Sequence, residues 1–217
     1  MKTIKVLLID GHPLFTRGLI SLLEGMSGYS VIGEAQNSED AVHIAENEKP
    51  SLVIMEISLG DESGLELIPR LKAAHRDIEI LVLSMYDERY YSERVLRMGA
   101  QGYVMKDKSI DTVMEAIQTI MSGKIYLSES EQRRLSGDAA QENIPGIEER
   151  AIALQKLSNR ELQIFTCMGN GLGTIEIAGK YKLSAKTIDT HKEHIKLKLH
   201  CSSSQELRRL AIEWINH

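Results

Sequence analysis

Four residues of this 217-residue chain are of types that could act together on a phosphoryl group. Each closes or follows a short apolar run: Asp10 after IKVLLI, Glu56 after SLVIM, Ser84 after EILVL and Lys106 after GYVM. Carboxylates hold divalent cations, a strand-end hydroxyl donates to a phosphoryl oxygen, and a lysine pairs with phosphate as a point charge. A second group crowds one amphipathic stretch near the end of the chain: Lys182, Ser184, Lys186, Thr187, Asp189, Thr190, His191, Lys192 and Lys196. Cations and hydroxyls clustered on one helix suit DNA, where they meet phosphates and base edges. His12 is read as a loop residue rather than a ligand or base, and Pro13 suits the first turn of the helix that follows.

The elements that must hold the first group are legible in the periodicity. Residues 4–9, 29–35, 51–56, 79–84 and 102–105 read as strands, several apolar throughout, as in a parallel sheet covered on both faces. Helical patterns at 14–25, 39–47, 64–75, 88–98 and 109–122 lie between them, and Ser63 with Glu66 has capping-box spacing. Five alternations of strand and helix predict a doubly wound α/β domain, whose ligands meet the carboxyl ends of its strands. The stretch 124–156 is polar, carries Gly137, Pro145 and Gly146, and reads as a linker with helical capacity around 129–135 and 147–156. After it only helical spacing remains. Helices are expected at 159–168, 175–181, 185–199 and 204–215, the first capped by Ser158 with Glu161. The second and third, joined at Lys182 and Leu183, form a helix-turn-helix. Small Ala178 allows a close crossing, and Ile177, Leu183, Ile188, Ile195 and Leu199 can face one core. The expected domains are thus 1–123 and 157–217, with a linker over 124–156.

Composition sets the class. Hydrophobic residues at 42% and charged residues at 26% exclude a disordered or collagenous chain. The net charge of −5 hides a segregation: residues 1–125 carry 13 Lys/Arg against 19 Asp/Glu, whereas 157–217 carry 9 against 6. The basic tail is where an anionic polymer would bind. No apolar run reaches the roughly 20 residues of a membrane span, and the charges of MKTIKVLLIDGHP come too early for a secretory signal, so a cytoplasmic protein without membrane contact is expected. Cys167 and Cys201 lack metal-ligand spacing and are read as idle thiols.

The segments LLIDGHP, LVIMEISL, LVLS and GAQGYVMKD resemble the receiver domain of two-component response regulators over residues 1 to about 123. The tail resembles the LuxR-type helix-turn-helix of NarL/FixJ-family regulators from Leu157 to about Ala211, in the run from Glu176, Ile177 and Ala178 through Ser184, Thr187 and Ile188 to Lys198 and Leu199. The resemblance implies a (βα)5 receiver followed by an all-α four-helix DNA-binding domain. In the receiver it implies a switch made of Ser84, Tyr103 and Lys106, an acidic pair after the first strand, and an aspartate at the end of the third. The chain departs twice: Asp10 is followed by Gly11, and Glu56 stands in the phosphoacceptor position.

Gly11 supplies no side-chain oxygen, so only weak Mg²⁺ binding at Asp10 and Glu56 is expected, and no cofactor. Glutamate carries its carboxylate about 1.5 Å further than aspartate, a displacement on the order of those that cost ~10²-fold in rate. A degenerate receiver is therefore expected, independent of aspartyl phosphorylation, with Glu56 reaching Lys106 or Ser84 either as a mimic of the phosphorylated state or as a plain ion pair. The rival readings are a conventional kinase-driven regulator and a receiver that acts as a protein-interaction module with vestigial DNA binding. No nucleophile and base pair beyond the pocket marks an enzyme.

On the third tail helix, Lys186, Asp189, Thr190 and Glu193 are expected to point outward, Lys186 toward guanine, Thr190 toward a thymine methyl and Asp189 toward a cytosine amino group. Lys182, Lys192, Lys196 and Lys198 would release counterions, and His191 would pack while touching a phosphate. Met85, Tyr86, Tyr90 and Tyr91 lie just after Ser84, where the loop and fourth helix would form a contact surface, and read equally as an interface or as ordinary packing. Double-stranded promoter DNA and a second copy of the chain are the expected partners, with a partner protein or a small ligand at the receiver as the input.

Overall fold

The computed structural model describes residues 3–59, 62–136, 154 and 156–215. Two compact units are present, Met1–Ala140 and Gln141–His217.

In the first unit the strands are β1 (Ile4–Ile9), β2 (Tyr29–Ala35), β3 (Leu52–Met55), β4 (Ser58–Leu59), β5 (Glu62–Ser63), β6 (Glu79–Ser84) and β7 (Gly102–Met105). The helices are α1 (Pro13–Glu24), α2 (Ser38–Glu48), α3 (Gly64–Ala74), α4 (Glu88–Arg97), α5 (Ile110–Met121) and α6 (Glu129–Ser136). Five strands make one parallel sheet in the order β2-β1-β3-β6-β7. All four residues of β3 are buried, and so are five of the six in β6, which is why those runs carry no alternation. One core joins Val6, Leu8, Ile54, Leu81, Leu83 and Val104 from the sheet to Val113, Ile117 and Ile120 of α5.

Polar residues stop and start the helices. Asn37, Asp87 and Ser109 each accept a backbone N–H of the helix they precede, satisfying donors with no partner inside the helix. The chain order of β1 and β3, neighbours in the sheet center, sets Asp10 and Glu56 side by side at the carboxyl edge. β4 and β5 form a two-stranded antiparallel hairpin just past Glu56, a feature with no periodic signature in sequence. The Ser63 side chain of the expected capping box lies outside the described residues. Gly64 passes so close to the backbone of residue 56 that a Cβ there would stand 2.6 Å from the Glu56 carbonyl oxygen.

The second unit holds α7 (Asn159–Gly169), α8 (Thr174–Lys180), α9 (Ala185–Lys198) and α10 (Ser204–Ile215). Ser158 and Glu161 form a full capping box at the start of α7. Leu162, Phe165, Ile177, Ile188, Ile195, Leu207, Ala211 and Trp214 form its interior. The turn from α8 to α9 is tight enough to hold Lys182 at φ 49. At the end of α7, a Cβ on Gly169 would lie 2.4 Å from the Ala211 carbonyl oxygen, so only glycine lets α7 and α10 cross there. The expected helical capacity at 147–156 falls almost wholly outside the described residues. Cys167 is buried with its Sγ 3.4 Å from the Tyr181 hydroxyl, and both cysteines are free thiols. Among the described residues no helix is long and apolar enough to cross a membrane.

Candidate functional site

Asp10, Glu56, Ser84 and Lys106 meet at the carboxyl ends of β1, β3, β6 and β7. Lys106 Nζ lies 2.5 Å from Asp10 Oδ2 and 3.1 Å from Glu56 Oε2. The Ser84 hydroxyl donates to Glu56 Oε1, which also accepts the backbone N–H of Ile57 at 2.7 Å and of Ser58 at 3.3 Å. Glu56 is 2% exposed and the Lys106 side chain 3% exposed, so the partners of each replace the water it lost on burial. The Phe15 ring stands 4.4 Å from Lys106 Nζ and closes the ammonium from one side. Below the carboxylates the remaining void, lined in part by Leu8, Thr16 and Ile54, is about 10 Å³, room for at most about one water.

His12 is exposed in the loop that precedes α1. Its backbone N–H donates to Asp10 Oδ1 at 2.8 Å, and its Nδ1 lies 2.8 Å from the same oxygen. Asp10, His12 and Glu56 bring their ligand atoms within 4.8 Å of one another. Mg²⁺ takes oxygen ligands in near-ideal octahedral geometry and is commonly held by one or two carboxylates with water completing the shell, so Asp10 and Glu56 would be its ligands and the imidazole a poor one. The oxygens of these carboxylates are engaged by Lys106, Ser84 and backbone amides, which a metal would have to displace. Gly11 beside them adds no ligand, although its position is open: a Cβ there would meet nothing within 4 Å.

The expected switch residues occupy a chain of contacts. Tyr103 is fully buried, and its hydroxyl donates to the Tyr86 carbonyl at 2.7 Å. Burial holds its phenol well above the ordinary range, against the opposing pull of the Ser84 hydroxyl. The Tyr86 ring lies 5.2 Å from that of buried Tyr91, while Met85 is exposed.

In the second unit, Lys182, Lys186, Asp189, Thr190 and Glu193 are exposed. Ser184 accepts the Thr187 N–H at 3.0 Å and so caps α9, and its hydroxyl lies 2.8 Å from that of Thr187. The Thr190 hydroxyl is turned back onto the Lys186 carbonyl at 3.0 Å. Lys192 donates to the Thr174 hydroxyl at 2.5 Å, and that hydroxyl donates to Asp189 at 3.3 Å, a polar tie between α8 and α9. Lys196 pairs with Glu193 at 2.5 Å. Lys198 reaches buried Glu161 at 2.6 Å and so clamps α9 to α7. Sequence spacing alone did not reveal that clamp, because the partners lie 37 positions apart. His191 is half-buried, and burial lowers its pKa, opposed by Glu161 and assisted by Arg160 and His194.

Comparison with known proteins agrees with both halves. Residues 6–118 match the response regulator receiver domain, and residues 155–211 match the bacterial regulatory proteins of the luxR family. The response regulator GacA of Pseudomonas aeruginosa is 30% identical over 209 residues, covering 96% of this chain and 95% of its own. The oxygen regulatory protein NreC of Staphylococcus carnosus is 30% identical over 210 residues, covering 96% and 97%. Among solved structures, the RcsB response regulator of Salmonella typhimurium superposes with a TM-score of 0.68 at 25% identity over 98% of each chain. RcsB bound to the promoter rprA shares the fold at a TM-score of 0.65, with 21% identity over 96% of this chain and 98% of that one. The chain therefore belongs to the bacterial two-component response regulators, a family of transcription regulators in which a receiver domain is paired with a luxR-type DNA-binding domain.

Proposed function

We propose that this regulator binds promoter DNA as a homodimer and that its receiver signals without aspartyl phosphorylation. The observation that carries this reading is the position of the Glu56 carboxylate, which joins the Ser84 hydroxyl to the Lys106 ammonium. A phosphorylated aspartate offers its oxygens to a hydroxyl and an ammonium of this kind. The longer side chain makes both contacts by itself, with Tyr103 buried behind the loop. The engagement of both carboxylates by Lys106 and Ser84 supports the same reading, since in-line phosphoryl transfer leans on a metal, which would have to displace those partners.

DNA binding follows from the exposed start of α9. Lys186 and Thr190 are the base-reading residues, and Lys182 and Lys196 flank them as phosphate contacts. Asp189 serves the Thr174 network first, and its outer oxygen is left to accept from a cytosine amino group. Solved RcsB complexes with promoter DNA support that docking by likeness of fold. A dimer follows from the habit of helix-turn-helix proteins of reading two half-sites.

The test is a pair of measurements on the full chain. Incubation with acetyl phosphate should leave the mass unchanged, and Glu56→Ala should weaken promoter binding by about tenfold, the loss of roughly one charge-assisted hydrogen bond. A stoichiometric phosphoryl adduct on Glu56 would make the protein a conventional kinase target. Unchanged promoter affinity in Glu56→Ala would reduce the carboxylate to a structural ion pair.

A further inference from the structure

The segment that leaves α5 does not run straight away from the receiver. Tyr126 lies along the open edge of β7, where its N–H donates to the Gln101 carbonyl at 2.9 Å and its carbonyl accepts from the N–H of Tyr103 at 3.4 Å. Leu127 is buried next to it. α6 then meets α4 through two carboxylates, one from each side. Glu88, the first residue of α4, accepts from the hydroxyls of Ser128 at 2.7 Å and Ser130 at 3.2 Å. Glu131 of α6 accepts from the Ser92 hydroxyl of α4 at 2.5 Å. Arg134 holds the outer side of Glu131 with a two-pronged contact at 2.8 and 2.9 Å. Ser92 is fully buried, Glu131 is 1% exposed and Glu88 is 8% exposed.

Burying two carboxylates at a helix contact is costly unless hydrogen bonds replace their water. Here they do, so the contact is specific: a shift of α4 by a fraction of a hydrogen-bond length leaves Glu131 and Ser92 desolvated and unpaired. The contact is also mostly polar. Of residues 124–136, Leu127 and part of Tyr126 are the buried apolar side chains and Glu131 the buried carboxylate, so separation would rehydrate both glutamates and forgo less hydrophobic burial than release of an apolar helix face. The pocket is close along the chain. Only Met85, Tyr86 and Asp87 separate Ser84, which donates to Glu56, from Glu88, which holds Ser128. That short loop is pinned at Tyr86 by the Tyr103 hydroxyl, and Tyr103 itself lies against Tyr126.

We infer that residues 124–136 form a releasable polar latch on α4, held shut by the Glu56–Ser84 contact at the far end of the β6–α4 loop. This rests on the reading of Glu56 given above and adds the route by which the pocket reaches the chain leading out of the receiver. While Ser84 is held, the loop places Glu88 and Ser92 where Ser128 and Glu131 find them. When Ser84 is let go, α4 loses that position and α6 is freed.

Amide hydrogen exchange on the full-length protein tests it. Ser92→Ala and Glu131→Gln should each speed exchange of the amides in 129–136 by about tenfold, the effect of losing one buried hydrogen bond, and β3 and β6 should stay protected. Glu56→Ala, which touches no latch residue, should speed the same amides. If Glu131→Gln also loosens the sheet, Ser92→Ala, which removes a single hydroxyl, is the deciding variant. Wild-type rates at 129–136 in both latch variants would show that no latch exists. Fast exchange in the latch variants alongside wild-type exchange in Glu56→Ala would show that the pocket does not govern it. A phosphoryl adduct on Glu56 would overturn the phosphorylation-independent reading and leave this exchange pattern as it is, so the two failures are told apart.

Discussion

Single side chains in this protein are seldom assigned one task. Glu161 closes the capping box of α7 through the Ser158 N–H at 2.6 Å and holds Lys198 at 2.6 Å. Desolvation pushes its pKa up, but the bonds from Lys198 and Ser158 outweigh it and set the carboxyl below its ordinary 4.5. A carboxylate whose folded pKa is depressed contributes stability that is fully present above the unfolded value and is lost as pH falls through the folded one. The C-terminal unit should therefore weaken as pH drops below about 4.5. Glu161→Ala should cost about 2 kcal/mol at neutral pH, combining a lost cap with a lost partly exposed ion pair. It should also flatten the acid limb, as read by urea unfolding at several pH values. An acid limb identical to that of the wild type would show that Glu161 is not the group responsible. Lys198 illustrates the limit of residue-level reading. On a helical wheel it is one more cation for phosphate, and only the crossing of α7 and α9 gives it to Glu161.

At the scale of elements, backbone approach decides what a position tolerates. Gly169→Ala would drive a methyl to within 2.4 Å of a backbone oxygen of α10, and overpacking of that sort costs about 3 kcal/mol. The thermal transition of the Gln141–His217 unit should fall by several degrees and that of the receiver should not move, which differential scanning calorimetry separates. The long elements were legible from sequence because their signals are periodic: fully apolar β3 and β6, amphipathic α5, and caps at Ser158 and Ser184. The hairpin of β4 and β5 was not, since two residues per strand are too few to show a period. The pocket was legible as residue types at strand ends, whereas the bond from His12 to Asp10 and the latch through Glu131 were not. A polar residue's partner 39 positions away leaves no trace in local spacing.

Across the whole molecule the charge is divided, acidic over residues 1–125 and basic over 157–217. With Lys192 turned to Thr174 and Lys198 to Glu161, the cations left for phosphate are fewer than a count of lysines suggests. The two phosphate contacts, Lys182 and Lys196, would give a slope of roughly −1.8 in log affinity against log salt for each protomer. Lys182→Ala should make that slope shallower by about one and weaken all sequences alike, and Lys186→Ala should instead relax base preference. Lys192→Ala should act mainly on stability, through the tie between α8 and α9. Equal slopes for wild type and Lys182→Ala in a fluorescence-anisotropy titration would remove Lys182 from the interface.

Position 11 has room for a side chain. A carboxylate grafted there would meet no neighbouring atom at its first carbon, and the strand ends already hold Asp10, Ser84 and Lys106 in place. On the phosphorylation-independent reading proposed above, what separates the pocket from one that accepts phosphate is two side chains, Gly11 and Glu56. Changing either alone leaves a gap: a shorter acid at 56 withdraws from Ser84, and a new acid at 11 adds negative charge beside a carboxylate that already reaches Lys106. On that proposal, acceptor chemistry would call for both replacements in the same molecule, so an engineer should treat positions 11 and 56 as one locus.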